Sequence, residues 1–421
     1  MLQEIYEFTE KMLNTGGAKA KQEILHEYSD NNLVKEFVKI THDPRIVFGI
    51  QMKKLEKAMN IVTVEYPSGN TLQDMLEYVS ENNTGSDEVL KTVASYIQAQ
   101  KEQYQDMLMK IFTKQLKLGV TAKTINKVWG DNFIFQLEVM RSKSYEKEWH
   151  KLLDKEVIAT IKLDGMRMIV IKEGNHIQAY SRSARIMTGY EHILNEMQEF
   201  PDGLYDGELI YAGNEDMKAV DVRQKTASIA NTKDGDRSEL KYILFDLDLG
   251  NKNTYRERRE QLFKLTNGKE SISVVPKVYE GKEFDKHKNT LMKQVLAAGE
   301  EGLMVALADG LYQRKQTDIL QKVKPSYSID LRVKDVYNGL TLNTKDELGG
   351  VIVEYKGFPL KVGNGWTEKE RKYYYKHPEE IIGKIIEIEH SGESKNKQGG
   401  LSVNFPRVVA VREDKDEESY E

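Results

Sequence analysis

Apolar positions recur at helical spacing through residues 1–131. Ile24, Leu25, Leu33, Val34, Phe37 and Val38 follow this rhythm, as do Leu72, Met75, Leu76 and Val79. Leu2 to Leu13 mixes apolar and acidic positions as an amphipathic helix does. Pro67-Ser68-Gly69-Asn70 and Asn82-Asn83-Thr84-Gly85-Ser86 read as breaks, with Thr71 and Ser86 or Asp87 placed to cap the helices that follow.

From Val157 the period changes to two. Strands are expected over Val157 to Ile161, Arg167 to Ile171, His176 to Ser181, Tyr205 to Ile210, Tyr242 to Leu247 and Leu303 to Leu307. Helices are expected near His192 to Glu199, Tyr255 to Leu265 and Thr290 to Ala298. After Pro325 the pattern turns almost entirely to short strands: Leu331 to Tyr337, Gly350 to Tyr355, Pro359 to Val362, Ile381 to His390 and Val408 to Val411. Such a run fits a small barrel of the OB type. The expected fold is therefore multidomain: an all-α unit at 1–131, an α+β unit at 132–326, and an all-β OB-fold with an acidic tail at 327–421. A chain of 421 residues has room for two or three such units.

Composition narrows the chemistry. The absence of cysteine excludes disulfides, thiolate zinc, iron–sulfur clusters and a cysteine nucleophile. The eight histidines show no paired ligand spacing, so any metal is a hard one held by oxygen. No apolar signal segment or membrane-spanning run is evident, and the expected form is a cytoplasmic monomer. The net charge of −5 argues against nucleic acid, but charge is segregated along the chain. Lysines 91, 101, 110, 114, 117, 123 and 127 face only Glu102 and Asp106 between Lys91 and Gly130, whereas Glu413 to Glu421 is acidic. Lys110, Lys114 and Lys117 are spaced to share a helix face, and Lys123 and Lys127 would extend it toward phosphates.

Lys162-Leu163-Asp164-Gly165-Met166-Arg167 follows the first strand of the α+β region. A lysine at a strand end can face a pocket, and Gly165 allows close backbone approach. To act as a nucleophile the amine must lose its proton, which neighbouring cations such as Arg167, Lys322 and Lys324, or a metal, would favour. In isolation the pattern is equally a surface lysine in a turn.

The hexapeptide resembles the nucleotidyl-lysine motif of DNA ligases, RNA ligases and mRNA capping enzymes, and further segments resemble the other motifs of that superfamily in order. They are Ser181-Arg182-Ser183, Asp206-Gly207-Glu208, Tyr242 to Asp246, Glu301-Gly302-Leu303-Met304-Val305, Lys322-Val323-Lys324, and finally Phe405-Pro406-Arg407 with Arg412-Glu413-Asp414-Lys415. The resemblance implies that Lys162 becomes adenylated by ATP. Nucleotide contacts would come from Thr160, Ile161, Arg167, Arg182, Glu208, Phe245 (stacking on the purine), Lys322, Lys324, Arg412 and Lys415. Glu208 and Glu301 would hold Mg²⁺. Ala306 departs from the pattern, since many relatives carry a lysine or arginine there; Arg314 and Lys315 are the nearby candidates to replace it.

Lys21 to Ile40 and Gln115 to Val128 resemble the N-terminal DNA-binding domain of ATP-dependent DNA ligases, bacteriophage enzymes included. The resemblance thus implies a helical DNA-binding unit, with Lys110, Lys114, Lys117, Lys123 and Lys127 on nicked double-stranded DNA. An adenylation unit and an OB unit would follow it. Competing expectations are an RNA ligase or capping-type transferase, and a catalytically inactive DNA-binding relative.

Overall fold

The computed structural model describes residues 2–61, 71–213, 217, 219–232, 235–339, 346–396 and 399–420. The expected loop at Pro67 to Asn70 lies outside them. Among the described residues the N-terminal region is wholly helical, from Leu2–Asn14 to Ala122–Trp129. The apolar stripes read from the sequence meet in one core containing Phe8, Leu25, Val38, Val79, Ile97, Phe112 and Ile125. The expected caps form. Thr71 and Asp74 make a reciprocal capping box on Leu72–Glu81, and the Ser86 hydroxyl accepts from the Val89 amide at the head of Asp87–Gln98.

The shared lysine face does not form. The helix Glu102–Phe112 stops before Lys114, whose φ of 55° is left-handed, and the chain turns inward to bury Leu116 and Leu118. Burial of those two leucines outweighs continuation of the helix. Lys114 is consequently drawn in as well: its Nζ donates to the carbonyls of Ile40 at 2.6 Å and Asp43 at 3.0 Å. Lys110 pairs with Asp106 on the helix, while Lys117 sits exposed in the following loop. Lys123 and Lys127 stay exposed, one turn apart on Ala122–Trp129.

The central region consists of two sheets. One is five-stranded, in the order Arg141–Ser144, Gln316–Val323, Leu303–Leu307, Val157–Ile161, Lys277–Gly281. The other is six-stranded, in the order Ile186–Met187, His176–Ser181, Met166–Glu173, Gly203–Tyr211, Leu240–Asp248, Ile272–Val274. Pairing is antiparallel except at one edge of each, where Arg141–Ser144 and Ile272–Val274 run parallel to their neighbours. The segment Lys162–Gly165 carries the chain from the first sheet into the second. The expected strands and helices are present within a few residues of their bounds. Additional to them are the helix Ala219–Asn231 and, among the strands, Arg141–Ser144, Ile186–Met187, Ile272–Val274, Lys277–Gly281 and Gln316–Val323.

After Pro325 an antiparallel five-stranded sheet runs Phe358–Val362, Leu348–Tyr355, Tyr327–Asn338, Ile385–His390, Arg407–Arg412. Tyr327–Asn338 pairs with a different neighbour along each half, and a bridge between Asn364 and Arg407 brings the two edges of the sheet together. The pattern was not purely strand, because Glu368–Lys376 is a helix closed by a Thr367–Glu370 capping box. Among the described residues no helix is long and apolar enough to cross a membrane.

The helical and central regions are joined through side chains. Arg45, paired with Asp43, stacks on Phe135 at 4.5 Å, and Phe135 lies 5.4 Å from Tyr180.

Candidate active site

The two sheets face each other across a cleft of about 360 Å³, and Lys162 stands at the point where the chain passes between them. Its amide donates to the Gly302 carbonyl at 2.9 Å, one step beyond the pairing of Ile161 with Leu303. That bond fixes the backbone at the strand end. Gly165 is required by space, since a Cβ there would meet the Leu209 carbonyl oxygen at 2.1 Å. The Lys162 side chain donates to Oε2 of Glu301, and Lys324 Nζ takes Oε1 of the same carboxylate at 2.5 Å. Burial alone would raise the Glu301 pKa, but the two lysines outweigh it and hold the carboxyl below its ordinary value.

Lys322 and Lys324 both line the cleft, as their spacing of two along one strand and its continuation requires. Lys322 is pushed below its ordinary pKa by burial and then by the charges of Lys324, Lys162 and Arg182. These cations converge on the cleft, and an anion there would relieve their repulsion. Thr160, Ile161, Arg182, Glu208 and Phe245 line the same cleft. Glu208 is pushed up to about 7 by burial, against the pull of Lys162 and Arg167.

Arg167 also lines the cleft, but its guanidinium is already engaged. It grips Asp206 with two bonds, of 2.8 and 2.6 Å, donates to the Met140 carbonyl, and lies 5.6 Å from the Phe245 ring. Burial disfavours its charge, yet Asp206 holds it above its ordinary value. Asp206 is itself buried and takes a further bond from the Tyr312 hydroxyl at 3.2 Å. Arg167 therefore braces the Phe245 wall, with Asp206 as its counter-ion. No role for Asp206 was evident from the sequence, although its alternation with Glu208 on one strand was a usable signal. Arg258 was missed in the same way: fully buried, it pairs with Asp246 at 2.6 Å behind the cleft.

Arg412 and Lys415 do not line the cleft. Both are bound within the C-terminal region, to Asp330 at 3.5 and 2.5 Å respectively, and Arg412 also to Asp414 at 2.7 Å. The C-terminal residue that does approach is Phe405, 73% exposed, with its ring 5.8 Å from Lys324 Nζ. Ala306 packs in an apolar cluster with Ile158, Tyr255 and Ala308. Arg314 does not supply the missing cation, because it is engaged by Asp248 at 2.8 Å and lies outside the cleft lining, as does Lys315.

Residues 138–324, the stretch that builds this cleft, match the model of the ATP dependent DNA ligase domain. Along almost its whole length the chain is also similar to the DNA ligase of Enterobacteria phage T4, at 25% identity over 98% of this chain and 96% of that one. The central stretch is thus similar to the ATP-dependent DNA ligase domain, and the chain as a whole to phage DNA ligases. The DNA ligase of Thermococcus onnurineus is 25% identical over 62% of this chain and 52% of its own length. Among solved structures, the fold resembles Pmar-Lig_PreS3, with a TM-score of 0.71, 22% identity and coverage of 97% and 99% of the two chains. The cleft thus lies within the stretch that matches the family model, and the helical region before it and β-rich region after it are shared in fold with that structure.

Proposed function

We propose that this protein is an ATP-dependent DNA ligase that seals nicks between a 5′-phosphate and a 3′-hydroxyl in duplex DNA, acts as a monomer, and uses Lys162 as the residue that carries AMP. The observation that supports this most is the concentration of Lys162, Lys322, Lys324 and Arg182 around one cleft that also offers Phe245 and Glu208. Those are the groups needed to hold a triphosphate, a purine and a ribose.

In the first step the Lys162 nitrogen attacks the α-phosphorus of ATP. A P–N bond forms, the P–O bond to the β-phosphate breaks, and pyrophosphate leaves. Lys322 and Lys324 balance the charge that grows on the α-phosphate, and Phe245 stacks on the adenine. Glu208 accepts from the ribose. Next, an oxygen of the DNA 5′-phosphate displaces Lys162 from the AMP phosphorus. Finally the 3′-hydroxyl attacks that 5′-phosphate, the strand is joined and AMP is released.

Glu208 and Glu301 fit Mg²⁺, because both are carboxylates beside Lys162 and offer the hard oxygen donors that this ion takes. When bound, the ion would supply positive charge to the phosphate oxygens.

We read residues 1–131 as the DNA-binding unit, 132–326 as the adenylation unit and 327–421 as an OB-fold. The bridge between Asn364 and Arg407, which draws the edge strands together, supports the barrel reading. Arg412 and Lys415 would leave Asp330 and turn toward the pyrophosphate when that unit closes over the cleft. The test is competition between substrates: nicked duplex DNA should be sealed faster than broken RNA strands, and the reverse order would overturn the reading.

A further inference from the structure

The helix Ala219–Asn231 is tied to the region of Lys162 through Thr226 and Arg223. Thr226, with no exposed surface, accepts from the Tyr211 amide at 3.0 Å and donates to the Val222 carbonyl at 2.7 Å, tying the helix to the strand that carries Glu208. One turn earlier, Arg223 Nη1 lies 3.5 Å from Oδ1 of Asp164, two residues from the nucleophile. Neither Arg223 nor Asp164 lines the nucleotide cleft. The Arg223 side chain is 58% exposed and that of Asp164 only 17%. Burial and the charge of Glu301 push the Asp164 carboxyl up, while Arg223, Lys162 and Lys324 pull it down.

Arg223 is thus an exposed cation with spare donors beside Asp164. A guanidinium presents five N–H groups in a fixed fork, and one loose contact at 3.5 Å occupies few of them. Transfer of AMP to DNA needs such a group. It brings a phosphate dianion toward an AMP phosphate whose own charge already engages Lys322 and Lys324, with the carboxylates of Asp164 and Glu301 adding to the repulsion. The incoming strand end is part of a macromolecule, so its anchor must be open to solvent, as Arg223 is.

We propose that Arg223 binds the 5′-phosphate of the nicked strand and holds it against the Lys162 adenylate, with Asp164 orienting the guanidinium. The inference rests on Lys162 being the adenylated residue. A phosphate oxygen held by Arg223 attacks the AMP phosphorus, the P–N bond breaks, its electron pair returns to Lys162, and a P–O–P linkage forms. Paired forks of this kind match phosphate oxygens with two parallel hydrogen bonds.

The test uses the full chain as wild type, Arg223→Gln and Arg223→Lys. Charging of Lys162 from labelled ATP is measured first, followed by a single turnover of the charged protein on nicked duplex. Arg223→Gln should charge at the wild-type rate, which also shows that it is folded. It should pass AMP to DNA roughly 10- to 100-fold more slowly, with partial recovery in Arg223→Lys. Charged wild type should prefer a nick bearing a 5′-phosphate over one bearing a 5′-hydroxyl, and Arg223→Gln should lose that preference. The proposal is overturned if charging and transfer fall together, if affinity for both duplexes falls equally, or if nothing changes. If wild type itself takes no label, the reading of Lys162 fails, and that result is distinct from a failure confined to Arg223.

Discussion

Glu301 divides its carboxylate between Lys162 and Lys324, one lysine on each oxygen. The pair of lysines is thereby kept in the cleft before any phosphate arrives. Glu301→Gln retains the shape and removes the charge, so the two cations lose the anion they share. Label incorporation from ATP should fall roughly 10- to 100-fold, because the group that places both lysines and offers a metal ligand is gone. An unchanged incorporation rate would separate Glu301 from the chemistry.

Glu208 makes the metal-free protein sensitive to pH. Its folded pKa of about 7 is above the ordinary 4.5 because it is buried. Below about 4.5 both folded and unfolded chains hold the proton, and the contribution to stability is fully present. Between those values only the folded chain holds it, so stability falls as pH rises, and above about 7 the loss is complete. The full effect is on the order of 3 kcal/mol. Melting in a chelating buffer across this range should show the decline in wild type, and Glu208→Gln should flatten it. Parallel curves for the two proteins would contradict the assignment.

Lys114 and the pair Lys123 and Lys127 should behave differently on mutation. Lys114 satisfies two backbone carbonyls, and burial pushes its pKa down to about 8. Lys114→Ala should lower the urea midpoint, by about 1–3 kcal/mol of stability, and leave the salt dependence of DNA binding unaltered. Lys123→Ala with Lys127→Ala should leave the midpoint alone and reduce the log–log salt slope by about 2, as for two lost phosphate contacts. A loss of slope in Lys114→Ala would restore the lysine to the DNA surface.

Asp330 holds both Arg412 and Lys415 away from the cleft. If closure of the C-terminal unit needs those cations, Asp330→Asn should make them easier to release. Adenylation of Lys162 should then speed up a few-fold, with sealing no faster. Slower adenylation at an unaltered melting temperature would show that Asp330 assists the closed state.

The helices, most strands and the contents of the cleft were legible because each depends on local rules. Leu72, Met75, Leu76 and Val79 repeat at helical spacing whatever they pack on, and Lys322 and Lys324 must point the same way on a strand. What escaped the sequence was set by long-range packing. Lys110, Lys114 and Lys117 have ideal spacing for a common face, but burial of Leu116 and Leu118 ended the helix first. Asp206 could be seen beside Glu208, yet its pairing with Arg167 spans 39 residues of chain. Arg223 belongs to a helix whose docking depends on Thr226, for which no periodic signal was read. The helix Glu368–Lys376 is different: its Thr367-x-x-Glu370 box is a local signal, set among strand-like segments.

The account depends most directly on covalent charging of Lys162. Wild type and Lys162→Ala should each be incubated with α-labelled ATP, GTP or NAD, and the protein then given nicked duplex DNA. The prediction is label on wild type from ATP alone, discharge of that label onto the nicked strand, and no label on Lys162→Ala. Label retained by Lys162→Ala, or label on wild type that nicked DNA does not remove, would contradict it.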